Sequence, residues 1–180
     1  WGRPVPAFRP WFSMVTAPFL NLFGWWGLFV IPVAAVLWMG WETDRFLRCR
    51  VGPAARALGL ASLLLGTPLA LYGAMFWEHA PACALFLAGL TRLVDATNPR
   101  GRRSVLAGGL IGLSGWLRPE LFVMGALSLV MLRPAILRAD AGTVPAGRWR
   151  AVRRWDLVVI GMAAAGAFWM LANLLLVRTP

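Results

Sequence analysis

Long apolar runs alternate with short arginine-rich segments along the whole chain, and this alternation restricts the folds that the chain can adopt. Charged residues make up only 14% of the 180 residues, and the mean hydropathy is +0.68. A soluble domain usually carries about 25% charged residues to keep its surface hydrated. We therefore predict an all-α fold, a polytopic bundle of about six transmembrane helices in a single domain. The domain covers residues 1–180, with approximate spans at 21–41, 57–76, 81–94, 104–117, 121–132 and 157–177.

The basic residues are all arginines, and their distribution predicts the topology. Of the 18 arginines, 14 lie in the segments that follow the first, third and fifth predicted spans, which alternating helices place on one side of the membrane. Arginine-rich loops stay in the cytoplasm, so the other turns face outward. Topology and contacts with anionic lipid account for the net charge of +11, and no nucleic-acid partner is expected. The abundance of Ala, Leu, Gly and Arg favours a bacterial source, and hence a multi-pass protein of the inner membrane.

Two short turns on the predicted outer face carry ionisable residues. The turn after the second span contains Glu78 and His79, and the turn after the fourth span contains Arg118 and Glu120 on either side of Pro119. Ionisable groups between strongly apolar segments usually face the bundle interior or a water-filled cavity. We therefore predict that these side chains meet in one outward-facing pocket.

The residue types in these turns suit a particular chemistry. The planar fork of an arginine binds phosphate, and a histidine adds a second donor or moves a proton near neutral pH. A carboxylate orients a hydroxyl group or acts as a base. The set therefore fits a phosphorylated lipid headgroup that meets a polar acceptor. The alternative is structural: an ion pair between Glu78 and Arg118 that ties two helical hairpins together, with His79 as a polar turn residue.

Other sequence features predict packing and membrane anchoring. Glycines recur at a small-xxx-small spacing in the fourth span, which lets a neighbouring backbone approach closely. Pro68 removes a backbone hydrogen bond and should kink the second span. Tryptophans at both ends of the first span fit the two membrane interfaces. We find no metal-ligand spacing, and we expect no cofactor.

Three segments resemble GT-C type glycosyltransferases, the polytopic membrane enzymes that use lipid-linked sugars and include the protein mannosyltransferases. The run from Leu71 to His79 is similar to the end of one helix and the start of the next in that family. The run from Gly108 to Glu120 resembles its glycine-rich helix, which ends in an Arg-Pro-Glu-like turn. The opening, from Gly2 to Gly24, resembles the proline-rich approach to its second helix.

The resemblance implies an inverting transfer of a sugar from a polyprenyl-phosphate donor to a glycan, lipid or protein acceptor on the periplasmic face. It assigns Glu78 and Glu120 as catalytic residues that shape the pocket, and His79 and Arg118 as residues that bind the lipid phosphate. The family's main catalytic acid lies in the first outer loop, which we expect upstream of Trp1. We therefore expect this chain to be a fragment of a longer protein, lacking the first helix and loop, and to be inactive alone.

Two other functions remain open at this point. A multi-span transporter would have broken helices with charged groups near the middle of the membrane, whereas the charges here cluster at helix ends. A structural membrane subunit would tolerate the loss of Arg118 or Glu78 with only a loss of stability. An Arg118→Ala variant that folds but has lost sugar transfer would distinguish the enzyme from the transporter and from the structural subunit.

Overall fold

The computed structural model describes residues 10–94, 101–141, 156–168 and 171, and every regular element among them is helical. The all-α prediction is therefore confirmed for this part of the chain. The Gly2 end of the proline-rich segment, the arginines at positions 3, 9 and 178, and most of residues 169–177 of the last predicted span lie outside the described residues.

The described residues contain eight α-helices and one 3₁₀ turn, joined by short turns. The 3₁₀ turn is Gly24–Trp26, and the helices are α1 (Pro10–Phe23), α2 (Gly27–Arg48), α3 (Pro53–Leu65), α4 (Leu69–Gly73), α5 (His79–Val94), α6 (Gly101–Leu117), α7 (Glu120–Ala141) and α8 (Asp156–Phe168).

The 3₁₀ turn folds α1 back along α2. Gly24 has a φ of +58°, a left-handed conformation that glycine adopts without a steric penalty. Gly27, just after the turn, lies so close to the carbonyl group of Phe19 that a Cβ atom there would overlap it. The two helices therefore pack as a close hairpin, and the chain leaves it along α2.

One helical run, Phe12–Arg48, is long and apolar enough by length and composition to cross a membrane. Within that run, the 22 residues of α2 alone extend for about 33 Å, close to the ~30 Å hydrocarbon core of a bilayer. The apolar helices Pro53–Leu65, His79–Val94 and Asp156–Phe168, and the apolar part of α7, Glu120–Leu132, are shorter than a full span. The described helices thus contain one full-length span candidate.

The second predicted span is broken rather than kinked at its proline. Helix α3 ends at Leu65 and α4 begins at Leu69, immediately after Pro68. Between them, the Thr67 hydroxyl donates to the Leu63 carbonyl at 2.6 Å and accepts from the Leu69 amide at 3.3 Å. The threonine side chain therefore satisfies backbone groups that the interrupted helix leaves exposed.

Contacts between the helices show which of their ends lie together. Glu42 near the end of α2 contacts Arg92 near the end of α5, so these helices end at the same side of the bundle. Gly108 of α6 packs on Val158 of α8, and Trp116 further along α6 makes an edge-to-face contact with Phe168, the last residue of α8, so these helices run parallel. The described arginines of α2, α3, α5 and α6 consequently lie at one end, which we call the arginine end. Arg118 lies at the other.

The glycine-rich helix α6 packs closely against its neighbours, with small residues at the contacts. Gly108 and Gly112 face α8, and Gly115 faces the ring of Phe122 on α7. The most deeply buried residues of α5 are alanines and a glycine. Small residues at these positions bring the helix backbones together, as small residues do in membrane helix bundles.

We expect Gly108→Ala to destabilise the protein, whereas the neighbouring Gly109→Ala should not. A Cβ atom on Gly108 would overlap the Val158 carbonyl, and a helix backbone must move to relieve the overlap, at about 1–3 kcal/mol. Gly109 has no such neighbour within 4 Å, so alanine there gains up to about 1 kcal/mol of helix propensity. Thermal unfolding of the two detergent-purified variants measures the difference, and equal effects would contradict the close α6–α8 contact.

Candidate functional site

The two turns predicted to face outward lie next to each other in the structure. Glu78 precedes α5, whose first residue is His79, while Arg118 and Pro119 separate α6 from α7. The backbone amide of Arg118 still donates to the Ser114 carbonyl at 2.9 Å, so the end of α6 holds this arginine in place. All four predicted site residues are thus brought together at the end of the bundle opposite the arginine end.

Arg118 is the centre of this cluster and bridges the two turns. Its Nη1 lies 3.8 Å from Oε1 of Glu78, and its Nη2 contacts Oε1 of Glu120. The side chains of Arg118 and Glu78 are 30% and 26% exposed, and that of Glu120 is 53% exposed. The Glu78 contact is the inter-hairpin ion pair that the structural alternative predicts, so geometry alone is compatible with either role.

The acidic residue after Pro119 is placed to stay ionised. Glu120 is the first residue of α7, where a negative charge interacts favourably with the helix dipole. A hydrogen bond from its own backbone amide, together with the neighbouring Arg118, holds the pKa of Glu120 below its ordinary value. Two carboxylates therefore compete for one guanidinium, and Glu120 is the more exposed of them.

His79 sits in an aromatic environment beside the arginine. Its ring stacks on Tyr72 at a centroid distance of 5.1 Å and lies 4.6 Å from Trp77. Its Nδ1 atom is buried and has no hydrogen-bond partner among the described residues. Burial lowers the pKa of His79 below 6.5, and the positive charge of Arg118 lowers it further. The imidazole is therefore neutral at pH 7 and carries one N–H group.

Acidification should destabilise the wild-type protein more than a His79→Gln variant. The unfolded chain takes up a proton on His79 near pH 6.5, but the folded protein does so only at a lower pH. The contribution of His79 is therefore complete above about pH 6.5 and is lost as the pH falls through the folded pKa. Melting temperatures of both proteins at about pH 7.5 and about pH 5.5 test this. An equal drop in both would show that His79 is not the group responsible.

Tyr72 and Trp77 also belong to this cluster and were not predicted to be part of it. Tyr72 is the only tyrosine of the chain and lies seven residues before His79, on α4. The break at Pro68 and the short turn after α4 bring its ring onto the imidazole. Because the sequence predicts one span over 57–76 and places His79 in the turn that follows it, helical spacing does not predict the stacking.

A second polar cluster, which sequence reasoning missed, lies at the arginine end. The Glu42 side chain is only 1% exposed. Its Oε1 atom pairs with Nη1 of Arg92 at 2.7 Å, across the contact between α2 and α5. The Thr91 hydroxyl and the Trp38 indole N–H each donate to this carboxylate at 3.3 Å, and Nη2 of Arg45 lies at 3.6 Å. A buried carboxylate with this many donors is well compensated.

The predicted bounds of the first span explain why this cluster was missed. Ending the span at residue 41 places Glu42 in a basic loop, whereas α2 continues to Arg48. The spacing carried a signal, because Trp38 and Arg45 are four residues before and three residues after Glu42, on one helical face. Trp38, predicted to be an interfacial anchor, donates its N–H to Glu42 instead of to interfacial water.

No family model, no curated protein and no solved structure matches this chain. Among the described residues, no group of three or more His, Cys, Asp or Glu side chains is placed to hold a metal ion. The sequence motifs and the cluster around Arg118 are therefore the observations from which a function is inferred.

Proposed function

We propose that this chain forms part of a GT-C type glycosyltransferase of the bacterial inner membrane. The enzyme moves a sugar from a polyprenyl-phosphate donor to a glycan, lipid or protein acceptor on the periplasmic side. The helices form six spans, with the arginine end in the cytoplasm and the Arg118 cluster on the outer side. The 14 arginines that sequence assigns to one side support this orientation.

The observation that carries the proposal is the meeting of Glu78, His79, Arg118 and Glu120 from turns about 40 residues apart in sequence. The arginine gives a phosphate a bidentate partner, and the neutral imidazole provides a further N–H donor or an acceptor at Nδ1. The cluster lies at the end of the bundle where a lipid-linked donor would present its phosphate.

Binding of the donor requires a change in the partners of Arg118. With two carboxylates on one guanidinium, the cluster has an excess of negative charge, which disfavours a phosphate. Glu120 is about half exposed and can turn toward water, whereas Glu78 is more enclosed and holds Arg118 in position. The donor phosphate therefore replaces Glu120 on Arg118, and the released carboxylate is free to orient a hydroxyl group of the sugar or acceptor.

In the reaction, the acceptor oxygen bonds to the anomeric carbon as the bond from that carbon to the phosphate oxygen breaks. The polyprenyl phosphate leaves with the electron pair, and Arg118 and His79 stabilise its developing charge. The acceptor proton passes to a carboxylate that precedes Trp1 in the full-length protein. Glu78 and Glu120 shape the pocket.

A structural membrane subunit is the second candidate, and the pairing of Arg118 with Glu78 favours it. In that case the cluster ties the turn before α5 to the turn between α6 and α7, and so joins two helical hairpins, and it binds no ligand. A transporter has less support, because residues 66–68, where α3 and α4 separate, include no ionisable group.

The test is an assay of the full-length gene product in proteoliposomes with radiolabelled polyprenyl-phosphate hexoses, beginning with mannose. The proposal predicts that label moves from the lipid donor into water-soluble or acceptor-bound sugar, at a rate above that of empty liposomes. Donor that stays intact with every hexose, in a preparation shown to be folded by its cooperative melting, would falsify the enzyme and leave the structural subunit.

A further inference from the structure

An apolar groove runs along the bundle between α2, α5 and α7, away from the Arg118 cluster. It has a volume of about 530 Å³, which is in the range of ligand-binding pockets. Its walls are alkyl, thioether and aromatic side chains, including Phe46, Leu90, Met124 and Met131, and its polar contributions are hydroxyl groups. A polar ligand would lose hydrogen bonds to water in such a groove, so its occupant must be largely apolar.

The groove is nearly as long as one leaflet of a bilayer is thick. Residues 87–94 of α5 line it and span about 12 Å at the rise of an α-helix, whereas one leaflet of the hydrocarbon core is about 15 Å thick. Thr43 and Phe46, from the last turns of α2, place one end of the groove at the arginine end of the bundle. The groove thus extends from that end toward the middle of the membrane.

Positive charge predominates where the groove meets the arginine end. The described residues where α2 and α5 end and α3 begins include two acidic side chains, Glu42 and Asp44, and five arginines, at positions 45, 48, 50, 56 and 92. The guanidinium of Arg50 lies 3.8 Å from the ring centre of Phe46, a wall residue, and donates to the Phe46 carbonyl at 2.6 Å. The positive charge of Arg50 therefore lies directly beside the apolar groove.

We infer that this groove binds one acyl chain of an anionic phospholipid, such as phosphatidylglycerol, whose phosphate lies at Arg50. The inference depends on the membrane location of the chain but not on sugar transfer. An acyl chain needs no hydrogen bonds, fills a groove nearly as long as one leaflet is thick, and is covalently joined to a phosphate at the membrane surface. Charge complementarity selects an anionic headgroup, because each arginine near such a surface contributes about 1 kcal/mol.

Native mass spectrometry of the detergent-purified full-length protein tests the inference, with dioleoyl phosphatidylglycerol and dioleoyl phosphatidylcholine as competing probes. The wild-type protein should retain phosphatidylglycerol in preference to phosphatidylcholine. Met124→Trp places a large side chain in the groove and should abolish the preferential retention. Arg50→Ala should weaken phosphatidylglycerol retention about fivefold, which corresponds to one arginine–headgroup interaction, and leave phosphatidylcholine unchanged.

Two matched variants control for general effects on the surface and the charge. Val123→Trp alters the residue next to Met124 on α7, which is similarly exposed but does not line the groove. Arg103→Ala removes an exposed arginine from α6, a helix that contributes no wall residue. Both should retain phosphatidylglycerol as the wild type does. Equal retention of the two lipids, unchanged retention by Met124→Trp, or a groove already filled by another segment of the full-length protein would each overturn the inference.

Discussion

Replacing Arg118 by alanine in the full-length protein should reduce sugar transfer by about 10²- to 10³-fold, the usual effect of removing one donor that stabilises developing charge. The same change should leave the protein folded. Both carboxylate partners of Arg118 are partly exposed, and ion pairs of that kind contribute about 0–1 kcal/mol to stability. The proteoliposome assay measures the transfer rate, and the melting temperature of the same sample measures folding.

Arg56→Ala is the matched control for this variant. The Arg56 side chain is 34% exposed and pairs with Asp44 at 3.1 Å, so its removal also breaks a partly exposed ion pair, but at the arginine end. We expect its transfer rate to equal that of the wild type. Arg118→Lys should recover only part of the activity, because an ammonium group cannot hold a phosphate and Glu78 in the planar geometry of a guanidinium. Unchanged transfer by Arg118→Ala would assign the cluster to structure alone.

The meeting of the two charged turns could be predicted because each turn places charge between strongly apolar segments. Such charges have few favourable positions, and the bundle interior is the main one. What could not be predicted is the arrangement inside the cluster. The contact of one guanidinium with two carboxylates, and the stacking of His79 on Tyr72, depend on how α4 and α6 end and how α5 and α7 begin, which no periodic pattern encodes.

Helix boundaries were predicted less well. Charged residues are expected to end a span, whereas ion pairs between charged residues one turn apart extend the helix. The first predicted span stops at residue 41, where the charged residues begin, but α2 continues to Arg48. Asp44 pairs with Arg48 one helical turn later, and Glu42 is three residues from Arg45, so these charges stabilise the helix instead of ending it. Hydropathy locates the apolar core of such a helix but not its polar extension.

Breaking the Glu42–Arg92 pair should have the largest effect on stability. In an Arg92→Met variant the 1% exposed carboxylate of Glu42 loses its closest cationic partner, and removing one member of a buried pair costs about 3 kcal/mol. For a chain of this size that loss lowers the melting temperature by about 6–12 °C. The change should appear in the detergent-purified protein without any ligand, because the pair joins α2 to α5 directly.

Arg48→Met is a close control for burial. Arg48 pairs with Asp44 at 2.7 Å, the same distance as the Arg92–Glu42 contact, but its side chain is 63% exposed. Solvent screens that pair, so its loss should cost less than about 1 kcal/mol. Equal melting temperatures for Arg92→Met and Arg48→Met would mean that burial of Glu42 does not determine the stability of the α2–α5 contact.

The double variant Glu42→Met/Arg92→Met distinguishes an uncompensated charge from lost packing. If the penalty in Arg92→Met comes from the unpaired carboxylate, replacing both partners by apolar side chains should restore most of the stability. About 1 kcal/mol should remain missing, because the Trp38 indole N–H and the Thr91 hydroxyl lose their acceptor on Glu42. A double variant no more stable than Arg92→Met would instead assign the loss to the packing of the Arg92 stem, and the ion pair would then contribute specificity rather than stability.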